Sequence, residues 1–269
     1  MADTEQRFVT LALQLLPTAS VEINPVEWAE QRLGIVLDEW QRNVLTSGAK
    51  RMLLVCPRQS GKSTIVGCLA GSLMVAHPGI KVVVLSPTQR QSSLLAAKVS
   101  DVLGGEPVLS DSVSRLVLSN GSSLDSLPGD QPKTIRGATA DVLVIDEASR
   151  IKDELVAAAL PMVAATDGRI LMLSTPAGSS GAFSDFWHDE QDDWERVFVT
   201  AEMVPRYSKS MLDGMRRRLG ARIFAQEFSG EFLEAPGQLF SNADLNELFA
   251  RRLPWEPMLE GKTDYQPLI

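Results

Sequence analysis

Three consecutive stretches constrain this chain more than any others: the apolar run Met52-Leu53-Leu54-Val55, the loop closing on Ser60-Gly61-Lys62-Ser63-Thr64, and the small and apolar residues from Ile65 to Ala76. The first has the pattern of a short buried strand, and the last suits a helix. A strand, a tight loop and a helix N-terminus aim several backbone N–H groups and the positive end of the helix dipole at one point, which suits a phosphate. In a loop of the form G-x-x-x-x-G-K-[ST], Lys62 reaches the β- and γ-phosphates and the Ser63 hydroxyl ligates Mg²⁺. Arg58, Gln59, Ser60, Gly61, Lys62, Ser63 and Thr64 are therefore the expected nucleotide-binding residues. Cys56 stands where that pattern begins with Gly, so the match departs from it at the first position.

A second stretch narrows the reading. Val142-Leu143-Val144-Ile145 is again strand-like, and it ends on Asp146-Glu147. A buried strand of this kind delivers two carboxylates to the C-terminal edge of a sheet, where ligands bind in open α/β folds. Asp146 is expected to hold Mg²⁺, directly or through water, and Glu147 to polarise the attacking water. The bland alternative is a strand that ends in two solvated acids.

Composition bounds the remainder. The 269 residues allow one large α/β domain, or a domain with a small appendage, and the 44% apolar content is ample for a core. No run approaches the roughly 18 apolar residues of a membrane span. Residues 1–20 lack the basic start and small-residue cleavage site of a secretory signal. The two cysteines, Cys56 and Cys68, have no metal or redox spacing and suit a reducing cytosol. His77 and His188 stand far apart and read as structural or exposed. A net charge of −8 argues against a wholly basic nucleic-acid coat, though a local basic track on one face is compatible with it.

Strand and helix signals alternate along the chain. Lys81 to Ser86 reads as a strand, Gln89 to Leu103 as a helix, and Val113–Leu118 and Ser122–Leu127 as strands joined by the hairpin signal Asn120-Gly121. A helix over Asp153 to Ala165, a strand Arg169 to Ser174 and a strand at Phe198-Val199 follow. Such alternation predicts a mostly parallel twisted sheet flanked by helices. A strand between the phosphate-loop strand and the acidic strand in sequence points to a RecA-like (ASCE) α/β fold, in which an extra strand separates the two in space. The expected organisation is an N-terminal helical segment over 1–48, an ATPase core over 49–200, a small C-terminal lid over 201–235 and a linker over 236–269.

Several motifs in this order resemble those of the large terminase subunit, the DNA-packaging ATPase of tailed double-stranded-DNA phages. Arg58-Gln59 before Ser60-Gly61-Lys62-Ser63 resembles that family's phosphate-loop variant, and Asp38-Glu39-Trp40-Gln41 its adenine motif. Ser86-Pro87-Thr88-Gln89-Arg90-Gln91-Ser92 resembles its next motif and Ser174-Thr175-Pro176 its coupling motif. Phe224 to Leu233, with Gln226-Glu227-Phe228 and Gly230-Glu231-Phe232, resembles its domain-closing segment.

The resemblance implies ATP and Mg²⁺ as ligands and double-stranded DNA, a portal protein, the small terminase subunit and a homo-oligomeric ring, a pentamer, as partners. The isolated chain could be a monomer. The implied location is the host cytoplasm, transiently at the procapsid portal, with no membrane. Gln41 can offer one donor and one acceptor to the N6/N7 edge of adenine; otherwise it is a surface helix residue. Trp40 flanks the base or packs the lid. Ser174 and Thr175 sense the γ-phosphate or cap the following turn.

The arginines stay open. Arg58 could swing onto the phosphates in cis. Arg136, in Lys133-Thr134-Ile135-Arg136-Gly137, resembles in its place before Glu147 a finger acting on a neighbouring subunit's ATP; a structural salt bridge or a DNA-phosphate contact is the alternative. Arg216-Arg217-Arg218 with Arg222 is the densest basic cluster and reads first as a solvated face, then as a lid or interface contact, and last as a DNA contact. A C-terminal nuclease domain belongs to the family, and the Pro-rich tail after Phe232 reads as a linker toward it, so no DNA cleavage is expected here. A helicase-like translocase and a nucleotide-gated assembly module with little turnover are the competing functions.

Overall fold

The computed structural model describes residues 19–112, 114–129, 135 and 137–234. Two short helices, α1 (Pro25–Leu33) and α2 (Glu39–Thr46), precede β1 (Arg51–Val55), the phosphate-loop helix α3 (Lys62–Ala76), β2 (Lys81–Ser86) and α4 (Gln89–Leu103). Then come β3 (Val108–Asp111), β4 (Arg115–Leu118), β5 (Ser123–Pro128), β6 (Val142–Asp146), α5 (Asp153–Ala159), β7 (Arg169–Ser174), α6 (Ala182–His188), β8 (Glu195–Phe198) and α7 (Lys209–Phe228).

Among the described residues eight strands form one sheet, in the order β3-β4-β5-β2-β6-β7-β1-β8. From β5 to β8 every neighbouring pair is parallel. β4 runs antiparallel to both β5 and β3. Between their end residues the strands β1, β2, β6 and β7 are apolar at successive positions because both faces are covered, as a parallel sheet requires. Side-chain alternation sends Met52, Leu54, Val82, Val84, Val142, Val144, Leu171 and Leu173 into one apolar layer with α3 and α4. Leu53, Val55, Val83, Leu85, Leu143, Ile145, Ile170 and Met172 face the opposite layer, beneath α5 and α6. A third, smaller cluster joins Ala201, Leu212, Phe224 and Phe228, with Tyr207 and Met215 against it. The 201–233 segment thus has a core of its own while packing within one compact unit with the sheet. No described helix is long and apolar enough to cross a membrane.

α3 is buried almost all round, and two of its glycines show why they are needed. A Cβ at Gly67 would lie 3.2 Å from the Lys98 carbonyl of α4, and one at Gly71 would lie 2.9 Å from the Trp28 ring of α1. Small residues let neighbouring helices close on the phosphate-loop helix from two sides.

The structure corrects the expected elements in four places. The strand that separates β1 from β6 in space is β7, which follows the acidic strand in sequence; β2, which lies between them in sequence, sits on the far side of β6. The helix expected over 153–165 stops at Ala159 and continues as a 3₁₀ turn, Leu160–Val163, because Pro161 lacks the N–H an α-turn needs. β3 was not anticipated; its Val-Leu-Ser-Asp sequence is exposed throughout and carries no alternation. The last strand is Glu195–Phe198, without Val199. The Asn120-Gly121 hairpin is present: Gly121 takes φ 83°, and Leu118 N–H donates to the Ser122 carbonyl at 2.9 Å. Val113, Arg136, residues 1–18 of the N-terminal segment, Ala235 of the lid and the 236–269 linker lie outside the described residues.

After α7 the chain returns to the sheet at Gly230. This residue has φ 74°, and a Cβ there would fall 2.8 Å from the Phe198 ring and 3.1 Å from Val55. Two residues on, Phe232 lies 6.2 Å from Phe183 and 5.9 Å from Trp187, centroid to centroid, in stacked geometry. Gly230→Ala combines an unfavourable left-handed φ with overpacking against β1 and β8, and is expected to cost roughly 2–4 kcal/mol. Denaturant unfolding of the two proteins checks this, and an unchanged midpoint would refute the seat described for Gly230.

Candidate nucleotide site

Parallel pairing brings the two sequence motifs to one edge. Val55, the last residue of β1, is in register with Ser174 of β7, and Asp146, the last of β6, with Leu173 of β7. The loop leaving β1 and the acids leaving β6 therefore emerge side by side across one strand. The separation leaves room for the longer of the two acids to turn back. Lys62 Nζ meets Glu147 Oε1 at 3.2 Å, with the side chains 8% and 19% exposed.

The backbone is strained at this edge. Glu147 has φ 51° and Gln59 φ 58°, left-handed values unusual for residues with a Cβ. Gly61 has φ 102°, and a Cβ on it would sit 2.8 Å from Gln41 Nε2 and 3.6 Å from Arg206 Nη2. Only glycine meets both demands. Lys62 then opens a helix of 15 residues, whose N-terminal amides and dipole converge on the loop, with Ser63 and Thr64 in its first turn.

The charges form a chain. Glu147 Oε2 lies 3.7 Å from Arg150, which in turn lies 3.9 Å from Glu227 of α7. Glu227 ion-pairs with Arg58 Nε, and the Arg58 N–H donates to the Glu227 carbonyl at 3.2 Å. Asp146 stands at the buried end, accepting the Glu147 N–H at 3.0 Å. Burial, reinforced by Glu147 and opposed by Lys62, pushes its carboxyl up from 3.8 to about 6. Burial likewise pushes the Cys56 thiol up to about 12, so at neutral pH it is a packed, protonated group and no nucleophile.

At the end of β7, Ser174 Oγ is 2.6 Å from Ser149 Oγ, and both hydroxyls donate to the Thr175 carbonyl at 2.8 Å. Glu147 Oε2 and Thr175 Oγ1 are buried oxygens without a hydrogen-bond partner among the described residues. No group of three or more His, Cys, Asp or Glu side chains gathers for a metal among those residues. That donor set still fits Mg²⁺. Mg²⁺ keeps several waters and takes one or two protein oxygens plus substrate phosphates, and the buried Asp146 carboxylate and a hydroxyl in the first turn of α3, Ser63, are oxygens of that kind.

Two expected residues sit away from free solvent. Trp40 is 4% exposed and packs in the first apolar layer. Gln41 is 3% exposed; its Oε1 accepts the Asp38 N–H at 3.0 Å, closing a capping box at the start of α2, and its Nε2 rests on Gly61. The structure thus brings together Gln41, Arg58, Ser60, Gly61, Lys62, Asp146, Glu147, Ser174 and Thr175, while Arg136 lies outside the described residues. Sequence reasoning did not single out Arg150, Arg206, Tyr207 or Glu227 for roles. Arg150 stands three residues after Glu147, and Glu227 lies within the Gln226-Glu227-Phe228 motif; Arg206 and Tyr207 come from distant positions with no local pattern.

Comparison with known proteins identifies the family and the fold. The family model described as the N-terminal part of the T4-like-virus-type terminase large subunit matches residues 53–247. The terminase large subunit of Thermus virus P23-45 is 24% identical over 273 aligned positions, covering 87% of this chain and 56% of that protein. The chain thus spans about half the length of the curated relatives it matches. The large terminase ATPase domain of Thermus phage P74-26 superposes with a TM-score of 0.69 at 23% identity, over 79% of this chain and 100% of that one. The large terminase of another thermophilic bacteriophage, solved in complex with ATP-gamma-S, gives 0.60 at 14% identity, over 73% of this chain and 53% of that one.

The raised Asp146 carboxyl has a consequence for pH. Its folded pKa lies above the unfolded one, so the folded chain keeps a proton that the unfolded chain has lost. Stability from this group therefore falls as pH rises from 3.8 to about 6, and the cost is fully present above that window. Asp146→Asn removes the cost, so its gain is expected to reach about 3 kcal/mol near pH 8 and to vanish near pH 4. Urea unfolding of both proteins at the two pH values measures the difference; a gain independent of pH contradicts the assignment.

Proposed function

Because the chain belongs to the terminase large-subunit family, we propose that it is the ATP-hydrolysing part of a phage motor that packages double-stranded DNA. The observation that carries the reading is the 3.2 Å approach of Lys62 to Glu147 at the end of a phosphate loop. A loop lysine and an acid from a different strand meet where a γ-phosphate would lie, and a general base must be within reach of the water it activates.

The roles follow from the chemistry of the groups. The amides of residues 60–64 and the α3 dipole cradle the β- and γ-phosphates. Lys62 binds them as a point charge, which draws it from Glu147 and leaves that carboxylate with Arg150 as its nearest cation. Glu147, held in its left-handed conformation, orients the attacking water and takes its proton. Asp146 and the Ser63 hydroxyl would hold Mg²⁺, which would neutralise charge developing on the phosphates. Ser174 and Thr175, bonded to Ser149 two residues after Glu147, are assigned to sense loss of the γ-phosphate. Gln41 faces the loop from the adenine motif; its amide oxygen accepts the Asp38 N–H and keeps a second lone pair for the base, while its Nε2 supplies the donor.

The larger activity is assigned on family grounds. The full motor acts as a homo-oligomeric ring at the portal, with the small terminase subunit as partner, in the host cytoplasm. Arg136 is assigned as the finger that reaches the neighbouring subunit's ATP, and the segment over 201–233 as the lid that moves with phosphate release.

Steady-state ATPase assays test the central claim. Wild-type chain is expected to hydrolyse ATP, while Glu147→Gln retains ATP binding and loses turnover by roughly 10²-fold or more. Binding without hydrolysis in the wild type as well, at high protein concentration, would instead identify a nucleotide-gated module. Arg136→Ala tests the finger separately: turnover is expected to vanish with ATP affinity intact, and normal turnover discards the role.

A further inference from the structure

The segment leading into α7 makes contacts with the phosphate loop that none of the roles above explains. Arg206 pairs through Nη1 with Asp38 Oδ2 at 2.9 Å and donates through Nη2 to the Ser60 carbonyl at 2.6 Å. Nη2 also lies over Gly61, 3.6 Å from where a Cβ would be. The next residue, Tyr207, donates its hydroxyl to the Arg58 carbonyl. Consecutive residues of the lid thus grip two carbonyls of the loop, those of residues 58 and 60.

A loop that cradles phosphate must present N–H groups and keep its carbonyls turned away, since a carbonyl oxygen facing the anion repels it. Carbonyls of residues 58 and 60 committed to outside donors cannot turn inward. Arg206 does this with one arm while its other arm holds Asp38, whose capping box fixes Gln41. The rigid, planar guanidinium fork suits two acceptors at a set spacing, which a lysine ammonium does not span in the same way.

Resting on the nucleotide-site reading above, we infer that Arg206 is a positioning residue for the nucleotide. Its Ser60 arm sets the triphosphate cradle, and its Asp38 arm sets Gln41 for the base. The lid therefore shapes both halves of the site through one side chain.

Isothermal titration of the full chain with ATP, GTP and inorganic tripolyphosphate separates the two arms. Wild-type binding of ATP, abolished in Lys62→Ala, establishes the nucleotide site itself; failure there sinks that reading, whatever Arg206 does. Given that site, Arg206→Ala is expected to weaken tripolyphosphate by about ten-fold or more, the loss of a charge-assisted hydrogen bond. It is also expected to collapse the preference for ATP over GTP, and added guanidinium ion should restore tripolyphosphate affinity. Wild-type affinity for tripolyphosphate in Arg206→Ala, or a loss that guanidinium does not recover, overturns the inference. Should Arg206→Ala not fold, Arg206→Lys carries the test: it keeps the charge but not the fork, so it must lose either tripolyphosphate affinity or base preference, and full retention of both overturns the inference equally.

Discussion

Everything at the sheet edge depends on the ion pair between Lys62 and Glu147, and that pair depends on strand order. With β1 and β6 adjacent, the loop and the acids would crowd one crevice. With β7 between them, an acid one residue past Asp146 has just the reach to meet the lysine across the gap. A largely buried pair of this kind is poor evidence for stability, because desolvating two charges offsets most of their attraction. Its persistence, together with a left-handed Glu147 that also costs backbone energy, points to a geometry kept for chemistry.

The surrounding electrostatics share that character. Asp146 is held uncomfortably: buried, beside a second acid, with Lys62 already engaged by Glu147. On the proposed reading, a divalent cation arriving with a triphosphate would supply the positive charge the carboxylate lacks. Arg58 is a contrast. Its side chain is half exposed, and a single pair with Glu227 in that setting contributes little to folding. What the pair does is specify where the guanidinium waits, next to the loop and bonded to the lid.

Much of this was legible from sequence because the strands that build the site are buried on both faces and therefore announce themselves as apolar runs. Lys81–Ser86, Gln89–Leu103 and Arg169–Ser174 fall where their patterns put them. β3 did not, since an exposed edge strand buries neither face and needs no alternation. The helix after the acidic strand was over-extended across Pro161. The loop and its acids were visible as local motifs, whereas Arg150, Arg206, Tyr207 and Glu227 act by meeting residues up to 169 positions away, a proximity that only the folded chain creates. Gln41 shows the same limit in reverse: its motif is visible in the sequence, but its burial and its capping bond to Asp38 are tertiary facts.

The 201–233 segment is tied to the phosphate loop at its start and near its end, and this arrangement dictates how it can respond. At its start Arg206 and Tyr207 hold the carbonyls of residues 60 and 58; near its end Glu227 holds both the side chain and the N–H of Arg58. Beyond that, Gly230 and Phe232 are wedged against β1, β8 and α6 and give the segment a fixed anchor. The intervening helix is broken at Gly220, where φ is 78° and ψ 162°, and the residues around the break are exposed. A change in the phosphate loop therefore cannot stay local. Moving Arg58 or Ser60 breaks a contact to the lid or drags it along, and with the far end anchored, the break at Gly220 is the point in the helix with the freedom to absorb the difference.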